Sequence, residues 1–304
     1  MDFNRLPNLF IIGAVKSGTT TLYDTLAKYP GVYFPVQKEP SFFCDEEYFS
    51  RGVEWYLQSY YSNAEQYQVR GDASPRYLYW SARVAPRLAS LYAGSSPKFI
   101  AILRNPVEMV YSFYWQSVRE GRERLTFREA LQEENARLAE HQESISRKGR
   151  LTFAYGQIAD YAAQLQPFLE RFPKKRFLFL LTEDFKDFSS LTCKLEEFLN
   201  LEHIDWTETV RSNVSRLPRS RWLHKVLVQR SWIKNILKAV LPYSFRHRLK
   251  TAVIDLNLKE YHPEALDPDL VVQIREHYKP ELIELEKIIQ RDLSSWYSET
   301  DRNA

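Results

Sequence analysis

Cysteine is almost absent from this 304-residue chain: Cys44 and Cys193 are the only two, and they lie far apart. Such spacing argues for reduced thiols and against a disulfide framework or a zinc site. A dominant charge of one sign is missing too. Lys and Arg number 42 against 39 Asp and Glu, a net charge of +3, so no global field pulls the chain toward nucleic acid. No apolar run approaches the length of a membrane-crossing helix. The opening residues, MDFNRLPN, lack the pattern of a secretory leader, and a soluble cytoplasmic protein is the resulting expectation. Internal repeats, low-complexity tracts and long Pro/Gly/Ser linkers are also lacking, so residues 1–304 are expected to form one domain. A hydrophobic share of 44% against 27% charged is enough for a sizeable core.

What is present begins at Asn8. Leu9-Phe10-Ile11-Ile12 is an apolar run too short for a helix and suited to a buried parallel strand. The loop Gly13-Ala14-Val15-Lys16-Ser17-Gly18-Thr19-Thr20-Thr21 follows, and Leu22 and Leu26 then share one helical face. Strand, glycine loop and helix form the layout in which backbone N–H groups at a helix start cradle a phosphate. Lys16 adds a mobile positive charge and Thr19 to Thr21 add hydroxyls. The nucleoside-triphosphate loop carries its lysine directly after the second glycine. Here the glycines keep that spacing, but the lysine enters from inside the loop, near the 5′ end of a shorter, diphosphate-like group.

A second apolar strand, Lys98 to Leu103, runs into Arg104-Asn105-Pro106, and a helix is expected through Ser112 and Trp115. A triphosphate-hydrolysing enzyme would want an aspartate at such a strand end to hold Mg²⁺. This strand delivers an arginine, which suits bidentate phosphate recognition.

These two stretches resemble the PAPS-dependent sulfotransferases, in particular their bacterial and glycan members. The first resembles the 5′-phosphosulfate loop, and Arg104 with Ser112 resembles the 3′-phosphate motif R-[DN]-P-x-x-x-x-x-S. The resemblance extends over nearly the whole chain, most strongly at residues 8–43 and 98–115. It implies an α/β fold, a central parallel sheet flanked by helices in a P-loop-like three-layer sandwich, with ligands at the strand C-terminal ends. It implies that Gly13, Ala14, Val15, Lys16, Ser17, Gly18, Thr19 and Thr20 hold the phosphosulfate of PAPS, whose product is 3′,5′-ADP, with no metal required. Lys38-Glu39-Pro40-Ser41-Phe42-Phe43 matches the K-E-x-x-F-F segment whose glutamate is the family's general base, which makes Glu39 the catalytic candidate alongside Lys16. The cytosolic small-molecule members use a histidine instead, but the first of the six histidines here is His141. Gly71-Asp72-Ala73-Ser74-Pro75-Arg76-Tyr77-Leu78 looks like the family's G-E-x-[ST]-P-x-Y-L stretch, with Asp72 in place of the glutamate. Ser74 and Tyr77, with Lys38, become candidates for acceptor binding. Heparan-type members carry a histidine at Ser41 and a lysine at Ala73, a departure that weighs against a heparan-like acceptor.

The remaining segments carry less chemistry. Residues 121–149 are charged and helix-prone, with Glu129, Glu133, Glu134 and Arg137 expected on solvated faces, and the region reads as a connection over the cleft. Thr182-Glu183-Asp184 ends another apolar strand, and its acids are expected to be structural. No Asp or Glu occurs between Glu208 and Asp255, where eleven Lys and Arg from Arg211 to Lys250 alternate with Trp and aliphatic residues. Three readings compete there: closure of Arg219 and its neighbours over the nucleotide phosphates, peripheral membrane contact through 216–250, and a solvated basic face. Leu270 to Trp296 reads as one closing helix.

The function expected is sulfuryl transfer from PAPS to a hydroxyl, less readily an amine, of a glycan, lipid or natural-product acceptor. A P-loop nucleotide or small-molecule kinase, and a non-catalytic nucleotide- or membrane-binding protein, are the alternatives.

Overall fold

A computed structural model describes residues 3–95, 97–204, 216–218, 258–260 and 266–298. Five strands form one parallel sheet in the order β2-β3-β1-β4-β5: β1 (Leu9–Gly13), β2 (Val32–Tyr33), β3 (Val69–Ala73), β4 (Lys98–Leu103) and β5 (Phe177–Leu181). β1 pairs with β3 through Phe10 opposite Asp72 and with β4 through Phe10 opposite Phe99. β1 leads on to β2 on one side of it, whereas its neighbour β4 leads on to β5 on the other side. That reversal opens a crevice beyond the strand C-termini, where open α/β sheets bind ligands.

β1 shows why the apolar runs become strands buried on both faces. Phe10 and Ile12 enter one core, with Tyr56, Leu88, Phe168 and Leu282. Leu9 and Ile11 enter the other, with Leu22, Leu26, Leu191 and Leu195. Alternation with a period of two sends successive side chains to opposite helical layers, so a three-layer sandwich results. Among the described residues the α-helices are, in chain order, α1 (Thr19–Leu26), α2 (Glu46–Phe49), α3 (Gly52–Tyr60), α4 (Arg76–Tyr79), α5 (Ser81–Leu91), α6 (Pro106–Arg119), α7 (Phe127–Gln132), α8 (Glu134–Arg147), α9 (Tyr161–Leu169), α10 (Phe188–Leu199), α11 (Pro268–Ile289) and α12 (Ser294–Tyr297). The closing helix expected over Leu270 to Trp296 is therefore two. Gln290 turns left-handed at φ 55 and ends α11, and Trp296 of α12 donates from Nε1 to Glu183 at 2.9 Å. A short antiparallel pair, β6 (Arg216–Pro218) with β7 (Leu258–Glu260), lies apart from the main sheet in hydrogen bonding.

The charged stretch after α6 departs from expectation. Glu134 is buried at 5% exposure and accepts from the amides of Gly156 at 2.5 Å and Gln157 at 3.1 Å. Arg137 is drawn in as well, donating to the buried Glu123 at 2.8 Å. The acids after β5 are structural: Asp184 accepts from Arg291 at 2.8 Å and from the Leu181 amide at 2.8 Å.

Gly13 closes β1 where α4 crosses it, and a Cβ there would lie 2.6 Å from Leu78 Cβ and 3.0 Å from the Pro75 carbonyl oxygen. Gly13→Ala is expected to lower stability by about 1–3 kcal/mol, the usual cost of overpacking, read as a lower urea midpoint at unchanged slope. An unchanged midpoint would show that α4 yields freely.

Candidate active site

The loops leaving β1, β3, β4 and β5 surround one open cavity of about 1100 Å³. The β1 loop supplies Val15 to Thr21. Gly18 stands at the N-cap of α1 with φ 91 and has no side chain to cap it, so the first amides of the helix lack the usual protein acceptor. An N-terminus of this kind favours an anion both by donors and by dipole. Lys16, itself left-handed at φ 60, is pulled down to about 8 by burial, and next by the nearby Arg119 and Arg104 guanidinium groups, with Glu120 opposing.

Arg104 enters from the end of β4. Its Nη1 donates to the Lys16 carbonyl at 3.0 Å, and its Nε and Nη2 donate to Glu108 at 3.3 and 3.2 Å. Its own carbonyl accepts from the Tyr161 hydroxyl at 3.0 Å. The guanidinium is thus held against the anion loop while one edge is satisfied by a carboxylate that an incoming phosphate can replace. Asn105 caps α6 by accepting from the Val107 amide, with Pro106 at the first position, and Ser112 lines the cavity two turns along.

Glu39 is exposed, lines the same cavity, and is left-handed at φ 56. Lys38 points elsewhere: its Nζ donates to Thr20 Oγ1 at 2.6 Å and stands 5.2 Å from the Tyr23 ring centroid. It braces the anion loop instead of facing an acceptor.

Four of the expected contacts are not available. Ser74 and Tyr77 are fully buried, and their hydroxyls donate to Asp72 at 2.6 and 2.9 Å. They support the cleft from beneath and cannot touch an acceptor. Gly13 and Ala14 are buried at the end of the central strand β1, with the Ala14 amide committed to the Ile102 carbonyl at 2.7 Å; the cavity lining begins at Val15. Arg219, with the basic stretch 219–250, lies outside the described residues.

Other residues of the cavity were not singled out from sequence. Arg76, at the start of α4, lines it and donates to Ser41 Oγ at 2.5 Å and to the Gly149 carbonyl at 2.9 Å. Arg122, Arg150 and Thr152 add a polar wall. The signal for Arg76 was its place just after a parallel strand, where ligand edges form; Arg150 follows a helix and had no such marker. Among the described residues no group of three or more His, Cys, Asp or Glu side chains is arranged to hold a metal ion, and no helix is long and apolar enough to cross a membrane.

Residues 6–221 match the family described as sulfotransferase domain. The chain belongs to that family. Among curated sulfotransferases, it is 36% identical over 116 residues to the membrane-associated sulfotransferase kil1 of Dictyostelium discoideum, covering 38% of this chain and 24% of that protein. It is 30% identical over 206 residues to the mouse heparan sulfate glucosamine 3-O-sulfotransferase 3A1, covering 66% of this chain and 47% of that protein. The chain thus spans less than half the length of these relatives. Among solved structures, the sulfotransferase from Alicyclobacillus acidocaldarius superposes with a TM-score of 0.69 at 24% identity, covering 96% of this chain and 99% of the other. That likeness establishes the shared sulfotransferase fold.

Proposed function

We propose that this sulfotransferase-family chain moves a sulfuryl group from PAPS to an acceptor hydroxyl. The observation that carries the reading is one cavity lined by cationic and donor groups at two places, each suited to an anion. The uncapped start of α1 with Lys16 forms one, and Arg104 with Ser112 forms the other. A donor phosphorylated at both the 5′ and 3′ positions fits that pair, and the rings of Phe185 and Phe188 offer apolar surface for its purine.

PAPS, as donor substrate, supplies a sulfuryl group whose bond to the 5′-phosphate oxygen breaks as the acceptor oxygen bonds to sulfur. The loop amides from Lys16 to Thr20 bind the phosphosulfate. Lys16 offsets charge developing on the departing phosphate oxygen. Glu39 takes the acceptor's proton on its carboxylate. Arg104 exchanges its Glu108 contact for the 3′-phosphate.

The acceptor is a glycan, lipid or natural-product alcohol. Ser41 and Ala73 stand where heparan-type members carry a histidine and a lysine, so neither gives the cleft an imidazole or ammonium. This favours an acceptor other than heparan.

Calorimetric titration without added metal tests the nucleotide assignment. 3′,5′-ADP should bind tighter than 5′-AMP or ATP. Arg104→Ala should remove that preference, a loss of about tenfold or more for one charge-assisted contact. A preference for ATP, or indifference to the 3′-phosphate, would overturn the proposal.

A further inference from the structure

Asp72 is the carboxylate that the proposed chemistry leaves unused. It sits one residue from the end of β3, fully buried, with no cation against it among the described residues. Its Oδ1 accepts from Ser74 Oγ at 2.6 Å, and its Oδ2 accepts from Tyr56 at 2.7 Å and Tyr77 at 2.9 Å. Burial pushes its carboxyl up to about 6, with the three hydroxyl bonds opposing and the charge of Glu39 adding to the rise. All three hydroxyls donate to it, the arrangement an ionised carboxylate takes.

An ionised carboxylate can only accept. Each hydroxyl must turn its proton toward Asp72, which leaves its oxygen lone pairs directed outward. Two of those oxygens receive backbone amides of the base-bearing segment: Ser74 Oγ accepts from the Ser41 amide at 2.9 Å, and the Tyr77 oxygen accepts from the Phe43 amide at 3.4 Å. From the cleft side, Arg76 holds Ser41 Oγ, which itself donates to the Glu39 carbonyl at 3.2 Å. Between these supports lie two left-handed residues, Glu39 at φ 56 and Ser41 at φ 55, flanking Pro40. Such conformations are sparsely populated outside glycine and persist only where the surroundings over-determine them.

We propose that Asp72 is a positioning residue for Glu39: through the Ser74 hydroxyl it fixes the Ser41 amide, and so aims the Glu39 carboxylate into the cleft. The inference rests on the reading of Glu39 as the base. An asparagine at position 72 would present N–H groups to one side of the network. At least one hydroxyl would have to reverse and set its proton against a backbone N–H.

Two variants test this, Asp72→Asn and Ser74→Ala. The second leaves the buried charge in place and keeps the test available if the first does not fold. Hydrogen exchange over 39–45 needs no acceptor and is the first readout; it should quicken about tenfold or more in both variants as local opening becomes easier. 3′,5′-ADP affinity should stay at the wild-type value. Release of 3′,5′-ADP from PAPS, with water or a simple alcohol as acceptor, should fall by up to about 10²-fold, the scale of a misplaced reacting group. In a Glu39→Gln background neither variant should slow release further, because the effect acts through Glu39. Unchanged exchange at 39–45 in the folded variant, or losses that add fully to that of Glu39→Gln, would overturn the inference. If Glu39→Gln alone leaves release unchanged, the base assignment fails, and the exchange result still judges the hold of Asp72 on the segment.

Discussion

Glu39→Gln is expected to lower sulfuryl transfer by about 10²–10⁴-fold, the range a positioned general base contributes, while 3′,5′-ADP affinity stays within about twofold. The substitution keeps size and hydrogen-bonding reach but removes the capacity to take a proton. Glu39 is a sharp test because it comes from a different segment of the chain than the donor contacts. The anion loop, Arg104 and Ser112 come from β1, β4 and α6, whereas Glu39 comes from the segment after β2. Its backbone conformation is fixed by Ser41, Ser74 and Arg76, none of which the substitution touches. The fold should therefore be unaltered, and the loss should fall on kcat. If nucleotide affinity drops along with turnover, Glu39 belongs to the donor site. If turnover is retained, the proton leaves by another route and the base assignment is wrong.

The parts of this site that could be read in sequence are those with a short-range physical marker. β1 and β4 announce themselves as apolar runs because parallel strands are buried on both faces. Gly18 marks a backbone that must turn left-handed, and Asn105-Pro106 marks a helix start. Lys16, Arg104 and Ser112 sit at those markers, Glu39 comes from the resemblance to the sulfotransferases, and all four line one cavity. The misreadings all concern facts that only tertiary contacts decide. Whether the Ser74 hydroxyl faces solvent or Asp72 depends on where Tyr56 and Tyr77 pack, and Tyr56 lies 18 residues earlier. Gly13 is expected as a phosphate contact from the resemblance, at a position where a glycine suits close approach. The approach is real, but the neighbour is Leu78. Glu134 and Arg137 sit on a charged helix whose pattern looks solvated. Their partners, the Gly156 amide and the Glu123 carboxylate, arrive from loops with no periodicity to read.

Lys16→Ala should damage turnover and donor affinity together. Removing a preorganised donor to a departing oxyanion costs about 10²–10³-fold in kcat, and losing a charge-assisted contact to the bound phosphate should weaken 3′,5′-ADP by about tenfold or more. The pH dependence separates this charge from the fixed guanidinium groups. In the free site Lys16 is held near 8 by burial, then by Arg119 and Arg104. It therefore loses its proton as pH rises through about 8, and an anion binds the protonated form more tightly. Wild-type affinity should decline above that pH, and binding near pH 8 should take up a proton. Titration in buffers of different ionisation enthalpy would read that uptake. Neither effect should survive in Lys16→Ala. Arg119→Met should raise the pH at which affinity falls, because it removes a charge that repels the ammonium. Stability carries the opposite sign. The unfolded chain holds the Lys16 proton up to about 10.4, so between about 8 and that value the unfolded state binds more protons and the folded state gains stability as pH rises. Lys16→Ala should flatten this slope and make the free protein more stable at neutral pH even as it loses its donor. A variant that binds 3′,5′-ADP with an unshifted pH edge would show that another group supplies the charge at this loop.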